Sequence, residues 1–187
     1  MTAKDIPNII SIMRMILVIP IVVLLFKKSF AWAMLLFALA GISDALDGYL
    51  AKHYNWHSRL GSILDPLADK LLLISSFITL TWLDLIPLWV TGVVIARDIV
   101  IVVGGVAFHY LIGKFDMEPT FISKANTFLQ IVLVFTVVFS YGAYDLGQSS
   151  LDILFYAVSF TSIVSGFHYA FHWAKRSVSQ KNNEPMA

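Results

Sequence analysis

The chain has 187 residues, 58% of them hydrophobic and only 13% charged. A water-soluble domain carries about 25% charged residues, so an ordinary soluble globule is excluded. The 14% aromatic content and the ten glycines exclude disorder and a collagen repeat. The 13 Lys and Arg against 12 Asp and Glu leave a net charge of +1. That balance gives no basic footprint, so no nucleic-acid partner is expected. Cysteine is absent, which rules out disulfides, thiolate metal sites and a thiol nucleophile.

A membrane-crossing helix takes about 20 apolar residues. Six apolar runs follow one another at 9–26, 30–51, 62–82, 86–112, 121–144 and 151–173. They are predicted to be helices, because an open strand cannot satisfy its backbone in lipid. A β-barrel would need alternating polarity, and runs such as 18–26 do not alternate. The expected fold class is therefore an all-α integral membrane protein with six transmembrane helices. One membrane domain is expected over 1–175, followed by a polar cytoplasmic tail at 176–187. Lys4, the run 15–26 and Ala31-Trp32-Ala33 imitate a cleavable signal peptide. Lys27-Lys28 interrupts the run before the imitated cleavage site, and Arg14 lies at its start, so no cleavage is expected.

The basic residues orient the helices. With six spans, nine of the 13 Lys and Arg fall on the side of both termini, and Lys27 and Lys28 alone fall on the other. Both termini are predicted cytoplasmic by the positive-inside rule. Arg14 reads as one of these topology anchors. Lys70 and Arg97 lie inside spans. Trp32, Trp82, Trp89 and Trp173 stand near span ends, where interfacial tryptophans belong.

The informative positions are carboxylates where lipid disfavours them. Each costs about 2.5–3.5 kcal/mol at the centre of a span unless it has a partner or a wet cavity. Four of the 12 acids lie between positions 44 and 69. Asp44 and Asp47 are three apart at the end of the second span, and Asp65 and Asp69 are four apart at the start of the third. Each pair shares one helix face. The short connection makes the two helices antiparallel neighbours, so the four carboxylates are expected to converge at one depth. Such a set needs cations, and an all-oxygen ligand set favours Mg²⁺, Mn²⁺ or Ca²⁺ over zinc. Two bridged divalent ions holding phosphate oxygens would fit. Gly48, Ala51 and Gly61 are small residues beside these acids and would leave room for a ligand.

Together the residues read Asp44-x2-Asp47-Gly48-x2-Ala51-Lys52-x8-Gly61-x3-Asp65-x3-Asp69. This resembles the signature of the CDP-alcohol phosphatidyltransferases, D-x2-DG-x2-AR-x8-G-x3-D-x3-D. Seven of the eight positions agree; Lys52 stands where that family has Arg, keeping the charge but not the planar fork. The resemblance runs along nearly the whole chain. Ile6-Pro7-Asn8-Ile9-Ile10-Ser11 with Arg14 and Pro20 is similar to the start of its phosphatidylglycerophosphate and cardiolipin synthase branch. The stretches 37–41, 64–70, 84–87, Arg97-Asp98 and 119–127 are similar to the eukaryotic-type, CMP-forming cardiolipin synthases. Ser123-Lys124-Ala125-Asn126-Thr127 stands where the glycerophosphate branch tends to show Gly-Lys-x-Lys-Thr. Asn126 thus removes a cation, which suits an acceptor whose phosphate is a singly charged diester.

The resemblance implies six transmembrane helices with an N-terminal interfacial segment, often as a homodimer. It implies Asp44, Asp47, Asp65 and Asp69 as ligands of two divalent cations, Mg²⁺ or Mn²⁺, with Asp69 also the catalytic base. Asn8, Ser11, Gly48, Ala51, Lys52, Gly61 and Asp65 would contact the donor, CDP-diacylglycerol. Arg97, Lys124 and Asn126 would hold the acceptor phosphate, on phosphatidylglycerol or on glycerol-3-phosphate. The expected location is a bacterial inner membrane with the active site facing the cytoplasm. Arg97 otherwise needs an ion-pair partner from another helix, because Asp98 as its sequence neighbour is expected to point away. His168 and His172 have zinc-ligand spacing but no following carboxylate, so no metal is expected there. A cation carrier is the contrasting reading; it would call for repeats and for acids spread across the span, and neither is present.

Overall fold

The computed structural model describes residues 6–54, 61–112 and 121–181. Six helices follow in order: α1 Ile6–Phe26, α2 Phe30–Tyr54, α3 Gly61–Trp82, α4 Leu88–Ile112, α5 Phe121–Gly142 and α6 Gln148–Lys181. No strand occurs among the described residues. Each expected apolar run coincides with one helix. α6 continues about two turns beyond the apolar run that ends at position 173, into the expected tail. Its Lys, Arg, Ser and Gln residues do not break a helix, so the loss of hydrophobicity does not end it.

Two of the connections are set by left-handed residues. α1 ends with Ser29 N–H donating to Leu24 O and Lys28 N–H donating to Leu25 O, with Lys28 at φ 55°. α3 ends the same way, with Leu85 N–H to Leu80 O, Asp84 N–H to Thr81 O, and Asp84 at φ 58°. Both are Schellman caps, which return orphan carbonyls to hydrogen bonds at the helix end. These are the polar interruptions at Lys27-Lys28-Ser29 and Asp84 in the sequence.

Among the described residues three helices are long and apolar enough to cross a membrane by length and composition: 9–26 in α1, 121–142 in α5 and 148–169 in α6. Phe30–Asp44 of α2 is a shorter apolar stretch. Beside its buried apolar residues the protein buries many polar side chains and exposes many large apolar ones. Ser11, Arg14, Ser76, Thr79, Arg97, Asp98, Asn126, Gln130, Ser162 and Ser165 are buried, while Ile16, Ile19, Trp32, Leu39, Val102, Phe128, Ile153, Tyr156 and Phe160 are exposed. Large apolar exteriors of this kind belong against lipid. This is a membrane protein.

The chain forms two compact units. The first contains α1, α2, α3, the part of α5 from Ile131 and the start of α6 up to Leu151. In it α1 packs against both α2 and α3. Its core is apolar: Ile21, Leu25, Ala33, Phe37, Ala40, Leu72, Phe77, Leu80, Val134 and Val138 are buried. The buried residues of α1 form one stripe, Ser11, Arg14, Ile21 and Leu25, at helical spacing. The polar top of the stripe and its apolar bottom therefore face inward together. Gly142 closes this unit tightly: a Cβ there would stand 2.6 Å from Phe30 Cβ.

The second unit contains α4, the part of α5 up to Gln130 and α6 from Asp152. Its interior is more polar. Ser123 and Ser165 meet at one guanidinium, and Asn126 meets Ser162, so α5 and α6 run antiparallel here. Further along these helices, Gln130 and Ser159 are buried. Both amide atoms of Gln130, Asn126 Nδ2 and Ser159 Oγ have no hydrogen-bond partner among the described residues.

Two stability outcomes follow from this packing. Gly142→Ala should cost about 1–3 kcal/mol through overpacking against Phe30, whereas Gly41→Ala, into open space, should be neutral or gain up to about 1 kcal/mol. Thermal unfolding in detergent compares them. Gln130→Met removes two unsatisfied buried atoms at similar volume and should raise stability by about 1 kcal/mol. A loss of that size in the same melt would show the amide to be engaged.

Candidate functional site

The site in the first unit is built from three helices. Ser11 and Arg14 lie one turn apart on the buried stripe of α1. Asp44 lies in α2, and Asp65 and Asp69 lie in the first turns of α3. Pro66 lies between them inside α3, where it cannot donate an intrahelical hydrogen bond. The Ser11 hydroxyl donates to Asp65 Oδ1. Arg14 Nη1 contacts Asp44 Oδ1 at 2.5 Å and also contacts Asp69 Oδ1.

One guanidinium nitrogen therefore receives oxygens from two different helices. The arginine side chain is 1% exposed, while both carboxylates are 43% exposed. Arg14 pairs with both acids from the protein interior, and each acid stays partly exposed. A buried guanidinium without such partners would be strongly destabilising.

The expected convergence is thus seen for Asp44 and Asp69. Asp65 is turned to Ser11. Among the described residues no group of three or more acids or histidines is arranged to hold a metal. The side chains of Asn8, Asp47, Ala51 and Lys52, and the surroundings of Gly61, lie outside the described residues. Gly48 is exposed, and a Cβ there would meet nothing within 4 Å, so its face is open to a ligand. The donor set suits a hard divalent cation: it is all oxygen, and two carboxylates already converge on the position of one positive charge.

Sequence reasoning gave Arg14 only a topological part. The structure places it inside, as the partner of two acids. The signal was present: Arg14 is three residues from Ser11, and an arginine within a run this apolar needs a buried anion.

The second polar centre surrounds Arg97 in the other unit. Arg97 Nη1 donates to Asp98 Oδ1 at 2.7 Å, and Nη2 donates to Ser123 Oγ at 2.5 Å and Ser165 Oγ at 2.9 Å. The expectation that Asp98 would point away is corrected. The arginine side chain is long enough to swing its guanidinium back to the next residue, and hydroxyls of α5 and α6 supply the remaining acceptors. Arg97 and Asp98 are both buried. Asn126 Oδ1 accepts from Thr161 Oγ1 and Ser162 Oγ, each at 2.9 Å. Lys124 is exposed. Beside Arg97 lies a largely apolar cavity of about 340 Å³, lined among others by Ala96, Val100, Ser162, Gly166 and Phe167. His168 is exposed, and the side chain of His172 lies outside the described residues.

The comparisons with known proteins agree on the family. The family model described as CDP-alcohol phosphatidyltransferase matches residues 4–172. The CMP-forming cardiolipin synthase of Rattus norvegicus is 35% identical over 92% of this chain and 62% of its own length. That of Streptomyces coelicolor is 40% identical over 66% of this chain and 60% of its own. The chain thus spans about three-fifths of the length of these relatives. The CDP-diacylglycerol–glycerol-3-phosphate 3-phosphatidyltransferase of Rickettsia typhi is 33% identical over 89% of this chain and 95% of its own length. The chain belongs to the CDP-alcohol phosphatidyltransferase family.

Proposed function

We propose that this protein is a CMP-forming cardiolipin synthase, transferring a phosphatidyl group from CDP-diacylglycerol to phosphatidylglycerol with release of CMP. The observation that carries the chemistry is the meeting of the partly exposed Asp44 and Asp69 on one cationic position. The acceptor is supported by relatives named as cardiolipin synthases and by Asn126. Its amide oxygen takes two hydroxyls rather than offering a cation.

Asp44, Asp47, Asp65 and Asp69 would hold two divalent cations, Mg²⁺ or Mn²⁺. When bound, these ions neutralise the diphosphate and the departing CMP. Asp69 accepts the proton of the terminal glycerol hydroxyl. That oxygen attacks the β-phosphorus in line, the bond between that phosphorus and the CMP oxygen breaks, and CMP leaves. Ser11 orients the Asp65 carboxylate, and Gly48, Ala51, Gly61, Lys52 and Asn8 surround the nucleotide. Arg97, Lys124 and Asn126 face the acceptor phosphate. Positioning and charge neutralisation supply most of the rate in such transfers.

The same reading gives six transmembrane helices with an N-terminal interfacial segment, one domain over 1–175 and a cytoplasmic tail. Both termini and the active site face the cytoplasm of a bacterial inner membrane, and the protein is a homodimer. A second reading is synthesis of phosphatidylglycerophosphate from glycerol-3-phosphate. It is favoured by the Rickettsia relative, whose length this chain covers almost completely.

Purified protein with CDP-diacylglycerol and each acceptor in turn, with lipid products read by mass, separates the two. Cardiolipin from phosphatidylglycerol is expected, and phosphatidylglycerophosphate alone would overturn the first reading. Asp69→Asn should lower turnover by about 10²–10⁴-fold; wild-type turnover would remove the proposed base. Asn126→Lys should shift acceptor choice toward glycerol-3-phosphate by about tenfold, the worth of one charge-assisted hydrogen bond. An unchanged product ratio would deny Asn126 a part in acceptor choice.

A further inference from the structure

Arg14 carries a charge that cannot be left alone. Its side chain is 1% exposed and sits against Asp44 and Asp69. A divalent cation on these carboxylates would compete with the guanidinium for the same oxygens. Two positive groups cannot share them closely without strong repulsion. The side chains of both acids are 43% exposed, so an ion from outside can reach carboxylates that Arg14 already holds.

A guanidinium that gives up these two oxygens at this depth is stabilised by a new anion. The planar fork of arginine matches phosphate as well as carboxylate. A diphosphate arriving with the ion supplies that anion. Ser11, one turn away on the same stripe, is anchored to Asp65, which fixes this part of α1 beside the carboxylates while the longer arginine side chain moves.

We propose that Arg14 is the resident counter-cation of the Asp44–Asp69 pair, and that it passes from these carboxylates to the donor diphosphate when a divalent ion binds. This rests on the metal reading of the carboxylates given above. Arg14 is then a positioning residue that couples ion binding to donor binding. It lowers ion affinity in the empty protein and restores it when the nucleotide is present. Linkage makes the effect reciprocal: the ion must tighten nucleotide binding by the same factor.

The test measures Mn²⁺ binding by electron paramagnetic resonance on purified, metal-stripped full-length protein in detergent. It is done with and without CDP as a soluble diphosphate probe. In the wild type, CDP should tighten Mn²⁺ binding by about fivefold or more. Arg14→Met should bind Mn²⁺ about fivefold or more tightly without CDP, and CDP should then change that affinity by about twofold or less. Arg14→Lys keeps the charge but not the fork. It should bind Mn²⁺ as the wild type does and lose most of the CDP effect.

Mn²⁺ binding by monodisperse Arg14→Met that is no tighter than wild type overturns the proposal. Should Arg14→Met not fold, undiminished CDP coupling in Arg14→Lys overturns it instead. Mn²⁺ binding that ignores Arg14 sinks this inference alone, whereas no Mn²⁺ binding in any protein sinks the metal reading with it.

Discussion

Inside the first unit, one guanidinium joins three helices. Arg14 reaches from α1 to Asp44 on α2 and Asp69 on α3, and α1 packs against both helices. In an environment of low dielectric a charge of this kind has few tolerable positions. Turning α1 by one residue would take Arg14 off the buried stripe and place Met13 or Met15 there instead. The carboxylates would then face each other with no cation between them. The ion pair therefore sets the rotation of α1, and with it the position of Ser11 against Asp65. The apolar lower half of the stripe, Ile21 and Leu25, supplies packing in the same orientation. Charge and packing agree on a single register.

The two buried arginines meet the same requirement in different ways. Arg97 is buried together with its carboxylate partner, Asp98 being only 7% exposed, and two serine hydroxyls also accept from it. Arg14 is buried, but its acids are partly exposed. An arginine bonded to a buried carboxylate and two hydroxyls fixes structure. One whose acidic partners remain reachable leaves room for a competing cation or an incoming anion. The contrast favours the carboxylates of α2 and α3 as the candidate site, although both arginines lie in apolar runs. It also sets a condition on Arg97 as a phosphate ligand, since a phosphate must share the guanidinium with Asp98 and the serines or displace them.

Much of this was legible in the chain. The apolar runs found the six helices, because lipid demands continuous apolar stretches and tolerates polar punctuation only between them. Lys28 and Asp84 marked two helix ends, and they are the left-handed cap residues there. The i,i+3 and i,i+4 spacing of the acids placed Asp44 and Asp69 on converging faces. Other features could not be read from spacing. Arg14 was legible as a charge but not as a buried one, since the inward stripe of α1 depends on what α2 and α3 present to it. The bond from Arg97 to Asp98 depends on the bend of a long side chain, which helical periodicity does not describe. Gln130 and Ser159 gave no local signal at all, because isolated polar residues in a span look alike whether they face lipid or a neighbour.

The central claim is that scarce charges in an apolar chain are gathered to hold divalent cations and move a phosphatidyl group. Its most direct measurement is CMP release from CDP-diacylglycerol by metal-stripped protein in the presence of phosphatidylglycerol, before and after Mg²⁺ or Mn²⁺ is restored. The account predicts CMP in step with a new phospholipid only when the ion is present. CMP and lipid product formed at an undiminished rate in excess chelator would contradict it.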